Sequence, residues 1–185
     1  CDEKGVLLVL DEIQCGFGRT GKFWAFEHYD ISPDILVCAK GMGGGMPLGA
    51  FIASNNIMQV FTENPVLGHI TTFGGHPMSC AASLAALNYL HTESIMDGIA
   101  EKELLFRRLL VHPKIKNIDG KGLMLALVFE DVEFCRKVID ACVDSGLLID
   151  WFLYAENKIR LSPPLIISKE QIETVSGIVI ENIQK

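Results

Sequence analysis

Two apolar runs that each stop at a charged residue constrain this chain more than any other feature. The first, Gly5-Val6-Leu7-Leu8-Val9-Leu10, ends at Asp11. The second, Ile35-Leu36-Val37-Cys38-Ala39, ends at Lys40 and enters Gly41-Met42-Gly43-Gly44-Gly45. Continuous apolar runs of this length predict strands covered on both faces. Residues 49–53 have the same character. Short buried-type strands separated by glycine and proline argue for an α/β sheet. In open α/β sheets the ligand crevice lies beyond the carboxyl ends of the strands. Asp11 and Lys40 stand at those ends.

The rest of the chain alternates less regularly. Phe23, Trp24, Phe26 and Tyr29 predict an aromatic cluster between the first two strands, and Pro33 bars helix at Ser32. Residues 77–91 predict a helix with Pro77 in its first turn and a small-residue surface suited to close packing. Residues 94–111 predict an amphipathic helix, its apolar side Ile95, Ile99, Leu104, Leu105, Leu109 and Leu110, stopped by Pro113. Strands at 115–118 and 122–129 flank the turn Asp119-Gly120-Lys121-Gly122. A helix over 131–144 closes at Gly146. Short strands follow at 147–149 and 158–162, and Ser168 caps a last helix, 169–183. This places residues 1–105 in a first domain and 106–185 in a small α+β domain, with the long helix as the joint.

Composition removes several classes of function. The net charge is −7 with no basic stretch, which argues against nucleic acid or an anionic membrane surface as partner. Mean hydropathy is high at +0.30, yet no apolar run is long enough to span a bilayer, so the apolar surplus implies buried surface, some of it between chains. The six cysteines form no CxxC pair and match no common zinc spacing. Most lie in apolar runs and are expected to be buried small hydrophobes in a reducing cytoplasm.

The charged and glycine-rich segments admit competing readings. Lys40, followed by glycines that permit a sharp turn and close ligand approach, fits a half-buried nucleophile. It also fits a lysine whose stem covers the sheet edge. A Walker loop would need its lysine after the glycines, not before them. Asp11 and Glu12 are adjacent in extended chain and so face opposite ways, one toward a site and one toward a structural partner. Gly16-Phe17-Gly18-Arg19-Thr20-Gly21 matches GxGxxG in form only, because it does not open a long crossover helix before Pro33. Thr71-Thr72-Phe73-Gly74-Gly75-His76-Pro77, just before a helix start, fits a phosphate site or a plain N-cap turn. In Lys158-Ile159-Arg160-Leu161-Ser162, alternation puts Arg160 on the polar face, as a carboxylate receptor or as part of a solvated face.

Taken together, residues 6–50 closely resemble the cofactor region of class III (subgroup II) pyridoxal-phosphate aminotransferases, nearest the acetylornithine and ornithine branch. HITTFGGHPMSCAASLAAL, from His69, and Lys158-Ile159-Arg160-Leu161-Ser162-Pro163-Pro164-Leu165 resemble the same family in the same order. The resemblance implies the end of a fold type I large-domain sheet plus a small C-terminal domain. It implies pyridoxal 5'-phosphate as cofactor, with Lys40 as the Schiff-base lysine and proton shuttle. Asp11 matches the acid on the pyridine nitrogen and Gln14 the glutamine near the phenolic oxygen. Thr72 matches the threonine that reaches the phosphate in the neighbouring subunit, which implies a homodimer with shared sites. Arg160 matches the receptor for the substrate α-carboxylate.

The implied reaction moves an amino group from an ornithine- or N-acetylornithine-like donor to 2-oxoglutarate. Donors such as 4-aminobutyrate, lysine or a diamine, or an aminomutase, fit the same motifs. Three positions depart from the usual pattern: Cys15 for a small hydroxyl residue, Ile70 for glycine and His76 for asparagine. The family's earlier phosphate cup, ring-stacking aromatic and substrate glutamate have no counterpart here. The chain therefore reads as a C-terminal half, expected to be inactive alone, or as a non-catalytic piece that assembles with its missing half.

Overall fold

The computed structural model describes residues 1–66 and 69–185, which divide into two compact units, Cys1–Ser94 and Ile95–Lys185. Among the described residues no helix is long and apolar enough to cross a membrane.

The first unit carries a three-stranded sheet of β1 (Val9–Asp11), β2 (Ile35–Cys38) and β3 (Ala50–Ala53) in that order. β1 runs parallel to β2 with Asp11 level with Val37, and β3 runs antiparallel with Ala50 level with Cys38. In the central strand Leu36 and Cys38, which share one face, are buried, whereas Ile35 and Val37 on the other face are intermediate. Val6 and Leu7, which precede β1, and Val9 within it are each more than half exposed. Among the described residues β1 pairs with β2. A short helix α1 (Asn55–Met58) follows, then α2 (Pro77–Thr92), with Pro77 in its first turn.

α2 packs on the 3-10 turn Lys40–Gly43. Gly44 shows why that turn needs glycine and α2 needs small residues. Gly44 has φ +58, and a Cβ on it would fall 2.5 Å from the Ala82 carbonyl oxygen and 3.0 Å from the Ala86 Cβ. Any side chain at 44 would push turn and helix apart.

The second unit begins with a 3-10 turn, Ile95–Gly98, that displaces the start of α3 (Ile99–Leu109) from the expected residue 94. Leu104, placed by spacing on the apolar side, is 67% exposed. A fully antiparallel sheet follows, made of β4 (Asn117–Lys121), β5 (Met124–Val128), β6 (Asp150–Phe152) and β7 (Ala155–Leu161) in the order β4-β5-β7-β6. The β4–β5 turn lies later than Asp119–Gly122. Lys121 pairs with Met124, so Gly122 and Leu123 form the loop, and Gly122 supplies φ +60 at its first position.

α4 (Val132–Asp144) is capped by Asp131, whose carboxylate accepts from the Glu133 and Phe134 amides. At its other end the Leu147 amide donates to the Cys142 carbonyl and the Gly146 amide to that of Val143. This is a Schellman closure around Gly146, φ +85. It absorbs Leu147 into the helix end, which is why the strand expected at 147–149 starts instead at Asp150. α5 (Lys169–Gln184) has the reciprocal Ser168–Gln171 capping box. One sheet face and helices α3, α4 and α5 enclose a core around Phe106, Leu127, Phe129, Ile159, Ile172 and Val179.

Candidate active site

Because β1 and β2 are parallel, their carboxyl ends open on the same sheet edge, and that edge carries Asp11 and Lys40. Asp11 is the last residue of β1 and is exposed. Its Oδ1 accepts from the Ile13 amide at 2.9 Å. Lys40 opens the turn after β2 with φ +46, a left-handed conformation uncommon outside glycine. Strained non-glycine backbone persists where surrounding structure holds it, and such positions cluster at functional sites. The Lys40 side chain is exposed rather than half-buried as its sequence context suggested.

Asp11 and Glu12 divide as the extended chain requires. Glu12 is 2% exposed. Its carboxylate accepts from the amides of Ala25 at 3.0 Å and Phe26 at 2.9 Å, and from the Cys15 thiol at 3.1 Å. Burial, then the Glu12 carboxylate, pushes the Cys15 thiol up to about 12.

Gln14 is half-buried in the turn after β1. That turn packs on aromatics. Phe17, Phe23 and Trp24 pack mutually with ring centroids 4.8 to 5.2 Å apart, and Phe23 stacks on His91 of α2. Tyr29, expected in this cluster, is 72% exposed. Phe17, hidden inside the glycine pattern, joins the cluster and lies beside Gly41. The glycines of the GxGxxG pattern open no long helix, and a Cβ on Gly16 would strike the Trp24 ring.

Thr72 is exposed in the loop that ends at His76, the N-cap residue of α2. His76 makes no side-chain cap bond. Of the six cysteines, Cys38, Cys135 and Cys142 are buried, whereas Cys1 and Cys80 are exposed and Cys15 is intermediate. The expectation that most are buried therefore holds for half of them. Cys80 lies in α2, of whose residues Ser79 alone is buried.

Arg160 belongs to the second unit, on the open face of its sheet. Alternation along β7 is as spacing suggested, with Ile159 and Leu161 buried and Lys158 and Arg160 on the other side. Lys158 pairs with Asp119 at 2.7 Å. Arg160 Nε donates to Asp150 Oδ1 at 2.9 Å and Nη2 donates to Oδ2. Sequence reasoning missed Asp150. Its partner is set by the register of β6 on β7, and a lone acid between Ile149 and Trp151 does not reveal a register.

The family model for class-III aminotransferases matches residues 1–183. The acetylornithine aminotransferase of Caldanaerobacter subterraneus subsp. tengcongensis is 40% identical over 178 residues, covering 94% of this chain and 44% of that protein. The putrescine aminotransferase of Pectobacterium atrosepticum is 39% identical, covering 95% and 39%. Among solved structures, an aminotransferase of Bacillus anthracis superposes with TM-score 0.90 at 35% identity, over 100% of this chain and 46% of that one. The ornithine aminotransferase of Toxoplasma gondii, with PLP partially occupying its active site, superposes with TM-score 0.88 at 32% identity, over 100% and 44%. The fold is thus fold type I, and the chain spans less than half the length of these curated relatives.

Proposed function

The chain belongs to the class III aminotransferases, and from that membership we propose that its protein transfers an amino group from an ornithine- or N-acetylornithine-like donor to 2-oxoglutarate. The observation that carries the reading is Lys40, held in left-handed backbone on the same sheet edge as Asp11. An exposed amine and an exposed carboxylate there fit the two ends of pyridoxal 5'-phosphate that need a protein partner, its carbonyl carbon and its ring nitrogen. When bound, that cofactor supplies an electron sink for the bond broken at the substrate α-carbon.

The chain's own residues have separable tasks. Lys40 Nζ would hold the cofactor covalently and, when freed, would serve as the base and acid for the α-proton. Asp11 would keep a proton on the ring nitrogen. Gln14, in the turn beyond Asp11, would donate to the phenolic oxygen. Thr72, on an exposed loop, would reach the phosphate held by a second copy, which would make the working unit a homodimer. Arg160 receives the substrate carboxylate. The unit Cys1–Ser94 would belong to the large domain and Ile95–Lys185 would form the small one, a boundary about ten residues earlier than the 105/106 expected from the sequence and one that keeps α3 whole.

Protein produced from the complete reading frame and loaded with cofactor is expected to show an absorbance band that borohydride removes. Lys40→Ala should lack it, and a band surviving in Lys40→Ala would overturn the assignment. An amino-donor panel with 2-oxoglutarate is expected to favour ornithine or N-acetylornithine over putrescine, lysine and 4-aminobutyrate.

A further inference from the structure

We propose that Asp150 is the positioning residue for Arg160, holding one edge of the guanidinium so that its other end faces a ligand carboxylate. This rests on the reading of Arg160 as the carboxylate receptor. The bonds from Nε and Nη2 to the two Asp150 oxygens use the side edge of the fork. Arginine has five N–H donors, so the end formed by Nη1 and the second Nη2 hydrogen stays available. Among the described residues no protein group accepts from Nη1. Arg160 lines a cavity of about 550 Å³ whose other walls include Leu147, Ile149, Pro163 and Pro164. A charged end among apolar walls suits a ligand whose carboxylate needs one strong, oriented partner.

The backbone decides between a brace and a removable plug. Asp150 lies directly opposite Arg160 in the β6–β7 register, on a strand rather than a mobile loop. On the other flank the residue level with Arg160 is Ala126, whose methyl cannot reach the guanidinium. Among the described residues the fork is therefore held by Asp150, fixed by sheet pairing and aligned along its side. An arginine ordered before binding does not lose that rotamer freedom on binding.

The test uses protein from the complete reading frame, titrated calorimetrically with glutarate, a non-reacting dicarboxylate. Asp150→Ala is expected to weaken glutarate by about tenfold, the size of one lost rotamer-rich ordering. Asp150→Asn, which keeps the shape and one acceptor, should weaken it by roughly threefold. In turnover the KM for 2-oxoglutarate should rise while kcat at saturation stays within about twofold, a split that general loss of fold would not give. Glutarate binding as tight or tighter in both Asp150 variants would overturn the proposal, because the acid would then be competing with the ligand. Arg160→Gln separates the two readings. If it leaves glutarate binding unchanged, the receptor role of Arg160 fails. If it abolishes binding while neither Asp150 variant weakens it, only the positioning role fails.

Discussion

The Glu12 carboxylate is buried against two backbone amides, whereas that of its neighbour Asp11 stands exposed at the end of β1. Two adjacent acids thus do unlike work. Removing the Glu12 side chain strands the Ala25 and Phe26 amides, and each buried unsatisfied donor costs about 1–3 kcal/mol. Glu12→Ala is therefore expected to lower unfolding free energy by about 2–4 kcal/mol in denaturant titration. Asp11→Asn should change stability by no more than about 0.5 kcal/mol. Its effect should appear instead as weaker retention of cofactor on dialysis.

The Cys15 thiol, raised to about 12 by burial and then by Glu12, should resist alkylation. At pH 9 roughly a thousandth of it is thiolate, so iodoacetamide should label exposed Cys1 and Cys80 first, as read by peptide mass mapping. Cys135, raised by burial to about 11, should behave likewise. The linkage has a definite sign. A thiol pKa raised above its ordinary value of 9.0 means the folded state holds the proton more tightly. The associated stability is fully present below pH 9 and is lost as pH rises through 11 and 12. A chemical-denaturation series that shows stability rising over that range would contradict both assignments.

Whatever rested on local periodicity or capping chemistry was legible in the chain. The α4 and α5 boundaries follow from Asp131, Gly146 and the Ser168–Gln171 pair. The ends of β1 and β2 follow from where apolar residues stop. What depended on neighbours was not legible. The Asp150–Arg160 pair depends on a register, and which aromatics meet, Phe17 rather than Tyr29 against Phe23 and Trp24, depends on the path of the turn. Leu147 was misread because a helix cap and a strand start both favour an apolar residue after glycine.

Arg107 staples α3 to the β4–β5 hairpin. Its Nη1 donates to the Ile118 carbonyl and Nη2 to that of Gly120, while Nε pairs with Glu103 at 2.9 Å. Glu103 in turn accepts from the Gly122 amide. Truncation removes three charge-assisted bonds at a half-buried site, so Arg107→Ala is expected to cost about 2–3 kcal/mol. A lysine ammonium cannot span two carbonyls and a carboxylate in one plane, so Arg107→Lys should restore less than about half of that. A lysine variant as stable as the parent would mean that charge, not fork geometry, is what matters.

Gly120 and Gly146 both have left-handed φ, at +101 and +85, yet they should respond differently to alanine. A Cβ on Gly146 meets nothing within 4 Å, so Gly146→Ala bears only the left-handed strain, about 1–2 kcal/mol. A Cβ on Gly120 would collide with the Met124 carbonyl oxygen and lie 3.1 Å from the Leu125 Cα. Both are backbone atoms of the paired strand, and neither can turn aside as a side-chain tip could. Relief requires opening the β4–β5 pairing, which also disturbs the carbonyls that Arg107 holds. Gly120→Ala is therefore expected to cost more than about 3 kcal/mol. Denaturant midpoints followed by Trp151 fluorescence would compare the two variants directly, and equal losses would show that the hairpin accommodates the methyl.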